Sequence, residues 1–205
     1  QIVACYLLGL YLAQVRGMKY GDEIAAVMAE LAGMPAKMQQ VLDAQQQVKE
    51  LARDLIDRQS VLFLGRDVGY PVALEGALKL KEIAYLHAEG FPAGELKHGP
   101  IALVDTGVPV FVVVPPQGRD QLHDKVISNI QEVRARGAHT IVLVEEGDDE
   151  VEPFSDVIIR LPRCSTLLQP LLATLPLQIF ACEVASLKGY DVDQPRNLAK
   201  SVTVE

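Results

Sequence analysis

The apolar positions divide the chain into a helical front and an alternating remainder. From Gln1 to about Arg16 almost every position is apolar, which predicts a helix ended by Gly17. A second helix is expected from about Asp22 to Leu31, with Gly33 and Pro35 as punctuation. A third is expected from about Ala36 to Arg58, where Met38, Val41, Leu42, Val48 and Leu51 make one apolar stripe among glutamines and charges. The front of the chain thus predicts helices and no strand.

The period changes at Ser60. The runs Ser60–Gly65, Val108–Val114, His139–Val144 and Asp156–Arg160 read as short buried strands. Between and after them, Tyr70–His87, Arg119–Arg136 and Leu167–Lys188 read as helices, the last two followed by Gly137 and Gly189 as C-terminal caps. The tail from Tyr190 to Glu205 has no clear period. Strands alternating with helices predict an α/β fold whose parallel sheet is covered on both faces. Ligands of such sheets sit at the C-terminal ends of the strands. The loops to watch are therefore Gly65–Tyr70, Ala88–Asp105 and Pro115–Asp120.

Composition narrows the picture. A length of 205 residues gives room for one sizeable α/β domain plus an appendage. A net charge of −8, without a lysine or arginine cluster, argues against a nucleic-acid binder and leaves any anion site to local geometry. Cys5, Cys164 and Cys182 are isolated and lack metal-ligand spacing, so reduced thiols in a cytosolic protein are expected. No signal peptide and no uninterrupted apolar run of membrane-spanning length is evident, since Gln14, Arg16 and Lys19 cut the first helix short. No capping residue precedes Ile2, so the chain reads as a fragment that begins inside a helix.

Candidate chemistry lies on the helix beginning near Tyr70. At about 100° per residue, its apolar residues spread around most of the circumference, whereas Glu75, Lys79 and Glu82 share a sector roughly 60° wide. A surface ion pair would look the same, because Glu75 and Lys79 stand four apart in the favourable order. Proton transfer between adjacent carbons would need this set too: a carboxylate base and a cation beside the developing oxyanion. The following segment, Ala88–Pro100, reads as a long loop carrying Glu95, Lys97 and His98, and His98 could shuttle protons near neutral pH.

Two strings carry a resemblance. LEGALKLKEIAYLHAEGFPAGELKHGPIALVD (Leu74–Asp105) and DVDQPRNLAKSVTVE (Asp191–Glu205) resemble the glutamine–fructose-6-phosphate aminotransferase family, which makes glucosamine 6-phosphate. The likeness is continuous from about Val61 and looser over Gln1–Ser60. Members of that family join a glutaminase domain to an isomerase unit of two sugar-isomerase (SIS) modules with flavodoxin-like, three-layer α/β/α folds. The resemblance implies that residues 59–205 are the second SIS module with its C-terminal tail, and that residues 1–58 are helices from the end of the first module and the linker.

The same resemblance implies roles. Glu82 matches the base that moves a proton between C1 and C2 of the sugar, Lys79 the residue that stabilises the developing charge, and Glu75 an assistant in proton handling. His98 matches the ring-opening histidine that reaches into the neighbouring subunit's site, and Lys200 a tail lysine beside the sugar, with Asn197–Val202 covering the site. Implied partners are fructose 6-phosphate and glucosamine 6-phosphate, a second copy in a homodimer, and the glutaminase domain that supplies ammonia. No metal or organic cofactor is implied, and the location is cytoplasmic. The Ser/Thr-rich loop that grips the sugar phosphate in the family has no match in this sequence, so these residues alone are expected to be inactive. Where the family has a second glycine after Gly65-Arg66 this chain has Asp67, whose carboxylate argues against phosphate binding at that loop. The rival reading is a non-catalytic SIS module that binds a sugar phosphate; it would keep the fold without needing the Glu75/Lys79/Glu82 line or Lys200.

Overall fold

The four apolar runs form strands, and a fifth strand joins them at one edge. The structure, a computed structural model, describes residues 1–118 and 121–198. Its strands are β1 (Ser60–Gly65), β2 (His87–Pro92), β3 (Pro109–Val113), β4 (His139–Glu145) and β5 (Val157–Leu161). They pair in the order β2-β1-β3-β4-β5, every neighbour parallel. The helices are α1 (Ile2–Val15), α2 (Gly21–Asp43), α3 (Gln45–Asp54), α4 (Gly69–Ile83), α5 (Gln121–Arg134) and α6 (Gln169–Leu187).

Alternation along the strands explains the layers. Phe63, Phe111, Val113, Ile141 and Leu143 point to one face, where they meet α3, α4 and α6. Leu62, Leu64, Val110, Val112 and Val142 point to the other, where they meet Val126, Ile130 and Val133 of α5. On the first face Phe111 stacks on Phe63 and packs against Phe180 of α6, each pair with ring centroids 4.9 Å apart. By length and composition α6 could cross a membrane, despite Gln178 and Glu183 within it. Here its Leu172, Leu177, Phe180 and Val184 are buried against the sheet and α2–α4, which is the pattern of a core helix.

Several sequence boundaries are corrected. Gly33 and Pro35 do not divide two helices: α2 runs through both, with Met34 buried in the core beside α6. Proline removes one backbone donor, and the packing of Met34 and Val41 on either side of it holds the helix together. The break falls instead at Ala44, and α3 ends at Asp54 rather than Arg58. Likewise α4 stops at Ile83, short of His87. Leu86 N donates to Leu80 O at 3.3 Å and Tyr85 takes φ +53°, a left-handed C-terminal cap with tyrosine where glycine is usual.

The segment read as a long loop from Ala88 is in fact β2 followed by two 3-10 turns, Ala93–His98 and Pro100–Leu103. Its glycine and proline disguise it, yet both suit an edge strand. A Cβ on Gly90 would sit 3.0 Å from Leu74 Cα, so glycine is what lets α4 lie directly on β2. At the end of β1 a Cβ on Gly65 would fall 2.1 Å from Gly69 O, so this turn into α4 closes only with glycine.

Candidate active site

The helix wheel is realised on α4. Gly76, Ala77 and Leu80 are buried toward the core, while Glu75, Lys79 and Glu82 stand together on a half-buried face. Lys79 Nζ lies 2.5 Å from Glu82 Oε2 and 3.7 Å from Glu75 Oε1. One ammonium thus bridges two carboxylates, each side chain between 27% and 32% exposed. The hydrogen bond to Glu82 holds the Lys79 ammonium above the usual lysine range; partial burial opposes this and the Glu75 charge adds to it. Lys79 is therefore a fixed cation at neutral pH.

Each end of the line opens on a cavity. Glu75 faces a groove of about 640 Å³ between the start of α1, α4 and α6, whose lining includes Gln1, Val72, Thr174 and Gln178. Gln178 Nε2 donates to Glu75 Oε1 at 3.4 Å. Sequence reasoning missed this residue; an amide inside a strongly apolar helix was its signal. Glu82 lines a smaller pocket of about 330 Å³, shared with Tyr85 and with Arg196, Asn197 and Leu198 of the tail.

The other candidate residues are placed differently. His98 is exposed at the end of its 3-10 turn, which buries Ala93 and Leu96 on the α5 face of the sheet. α4 packs on the opposite face. Within one chain, then, His98 and the α4 line are not brought together. Glu95 is exposed on the same turn, and Lys97 pairs with Glu132 of α5 at 2.8 Å. Lys200 lies outside the described residues, as does the end of the Asn197–Val202 segment.

The C-terminal edge of the sheet, around the ends of β1, β3 and β4, is carboxylate-rich. Asp67 follows β1 at φ +50°. After β3, Gln117 donates from its backbone to Glu145 at 3.1 Å and from its side chain to Asp148 at 3.1 Å. Asp148, fully buried, also meets His123 Nε2 at 2.7 Å. His123 Nδ1 lies 3.9 Å from both Asp124 and Glu150, a loose grouping for a cation. These residues surround the first turn of α5, whose dipole disfavours positive charge.

The fold is shared with known proteins. The model of the SIS domain family matches residues 54–188. The chain is 69% identical over its whole length to a glutamine–fructose-6-phosphate aminotransferase (isomerizing) of Corynebacterium glutamicum, and covers 33% of that protein. It is 62% identical, again over its whole length, to the protein of the same name from Mycobacterium tuberculosis strain H37Rv, covering 33% of it. The chain thus spans about a third of the length of the curated relatives it matches. Among solved structures, the C-terminal domain of glucosamine-fructose-6-phosphate aminotransferase from Francisella tularensis superposes with a TM-score of 0.86 at 39% identity, covering 94% of this chain and 53% of that one.

Proposed function

The chain belongs to the SIS domain family, and on that premise we propose that it is the isomerase part of a glutamine–fructose-6-phosphate aminotransferase, moving a proton between C1 and C2 of a hexose 6-phosphate. The observation that carries this reading is the Lys79 ammonium held between Glu75 and Glu82 on a half-buried helix face. Ketose-to-aldose conversion takes a proton from C1 and returns it to C2 through an enediol-like intermediate. It needs one base that serves both carbons and a fixed positive charge beside the oxygen. Glu82, which lines the tail pocket, is the base. Lys79 supplies the charge. Glu75, steadied by Gln178, assists proton handling from the groove side.

His98 opens the sugar ring in a neighbouring subunit's site, a reading supported by its placement on the sheet face opposite α4. That makes the whole protein a homodimer. Lys200, two residues after Leu198 in the sequence, takes the part of the family's tail lysine beside the sugar. Ammonia from a glutaminase domain of the whole protein condenses with the C2 carbonyl of fructose 6-phosphate, releasing water, and isomerisation of the imine gives glucosamine 6-phosphate in the cytoplasm.

Residues 59–205 form the second SIS module, and residues 1–58 close the first and link the two. The character of α1 supports this division. Leu8, Tyr11, Leu12 and Val15 are exposed, with Val15 at 65%, on a helix that is apolar all round. Such a helix belongs inside a larger core. The test is the interconversion of fructose 6-phosphate and glucose 6-phosphate by the full-length protein without glutamine. Turnover is expected there and little from residues 1–205 alone; a full-length protein that binds the sugar but never interconverts it overturns the reading.

A further inference from the structure

Beyond its helical cap, Tyr85 makes contacts that the cap does not require. A tyrosine at φ +53° occupies a backbone conformation that glycine adopts without penalty. Strain of this kind persists where the surroundings use it. Here the surroundings are the C-terminal tail. The backbone N–H of Arg196 donates to the Tyr85 hydroxyl at 2.7 Å across 111 residues of sequence. The Arg196 guanidinium lies over the same ring, 4.1 Å from its centroid. Tyr190 meets that ring edge-on, with centroids 4.9 Å apart.

The tail is shaped to arrive there. Asp191 Oδ1 accepts from Asp193 N at 2.9 Å and Gln194 N at 3.1 Å, which folds the chain back after α6, and Pro195 then fixes φ just before Arg196. Asn197 and Leu198 follow directly onto the rim of the Glu82 pocket.

We propose that Tyr85 is a positioning residue: it clasps Arg196 and thereby sets Asn197 and Leu198 on the rim of the Glu82 pocket. The inference rests on the isomerase reading. It assigns the αL tyrosine a task outside its own helix, because the phenol's hydrogen bond and ring both go to the tail. Tyr85, itself on the lining of the Glu82 pocket, acts through the segment it holds.

Two variants of the full-length protein test it. Tyr85→Gly relaxes the cap while deleting the clasp, so folding and anchoring separate. Tyr85→Phe removes just the hydroxyl acceptor. Hydrogen exchange in a peptide containing Arg196 is expected to quicken about threefold or more in both. In Tyr85→Gly the melting temperature is expected to hold or rise, while kcat for sugar isomerisation falls about tenfold and the KM for fructose 6-phosphate moves less. Unchanged exchange at Arg196 in both variants overturns the clasp. Faster exchange with unmoved kcat and KM overturns its role in the reaction. Both results leave the Glu82 assignment standing, which is tested separately by Glu82→Gln.

Discussion

Two clusters of this molecule hold carboxylates in opposite ways. At the end of β4, both oxygens of the Asp148 carboxylate are engaged: Oδ2 by His123 Nε2 at 2.7 Å, Oδ1 by Gln117 Nε2 at 3.1 Å and the Glu150 N–H at 3.2 Å. Arg160 then donates to the Asp148 backbone oxygen at 2.6 Å. That group is sealed from water and chemically spent, and its task is to hold the loop after β4 to α5 and β5. On α4, by contrast, Glu75 and Glu82 share one lysine, face cavities and accept no hydrogen bond from backbone N–H groups of the described residues. Carboxylates with lone pairs to spare beside a fixed ammonium can exchange protons with a ligand. The proposed working carboxylates thus have fewer hydrogen-bond partners and more exposure than the structural one.

The contrast is broken most forcefully by single changes in each cluster. Glu82→Gln should lower kcat for isomerisation by about 100- to 10,000-fold, the usual contribution of a positioned base. Its unfolding free energy should stay within about 1 kcal/mol of the parent, since the ion pair it removes is partly solvated. Asp148→Ala should do the reverse. Removing one partner of a buried pair costs about 3–5 kcal/mol in stability, read from urea midpoints, while KM for the sugar in the protein that remains folded is unchanged. If instead Asp148→Ala abolished turnover at unaltered stability, the two clusters would have been assigned the wrong way round.

A smaller effect follows from Lys79. Its proton is held above the ordinary lysine range chiefly by the hydrogen bond to Glu82. A raised folded-state pKa adds stability that is complete below the unfolded value, near about 10.4, and is lost as pH rises through the folded value. Lys79→Met should therefore cost a few tenths of a kcal/mol at about pH 8, with the gap to the parent narrowing as pH rises past the unfolded lysine value. Denaturant midpoints below and above that value measure it.

Much of the α4 site could be read from sequence because helical period alone fixes which residues share a face. Glu75, Lys79 and Glu82 needed no tertiary information to be aligned. The strands at Ser60, Val108, His139 and Asp156 were legible for a similar reason, as unbroken apolar runs. What stayed hidden depended on partners far along the chain. β2 exists because His87–Pro92 pairs with Ser60–Gly65, and its Gly90 and Pro92 have poor intrinsic strand preference. The continuity of α2 through Pro35 depends on Met34 finding α6. The placement of His98 opposite α4 is a consequence of topology, which proximity in sequence misrepresents. The hold of Tyr85 on Arg196 spans 111 residues and leaves no local periodic trace.

The central claim is that Glu82 carries the proton between C1 and C2. Its most direct test is the exchange of sugar-bound hydrogen with solvent deuterium, followed by NMR on fructose 6-phosphate with the full-length protein and its Glu82→Gln variant. The parent should introduce deuterium at C1 or C2 during isomerisation. The variant should bind the sugar with affinity within about threefold of the parent and introduce none. Deuterium uptake by Glu82→Gln at the parent's rate would contradict the account and move the base to another residue.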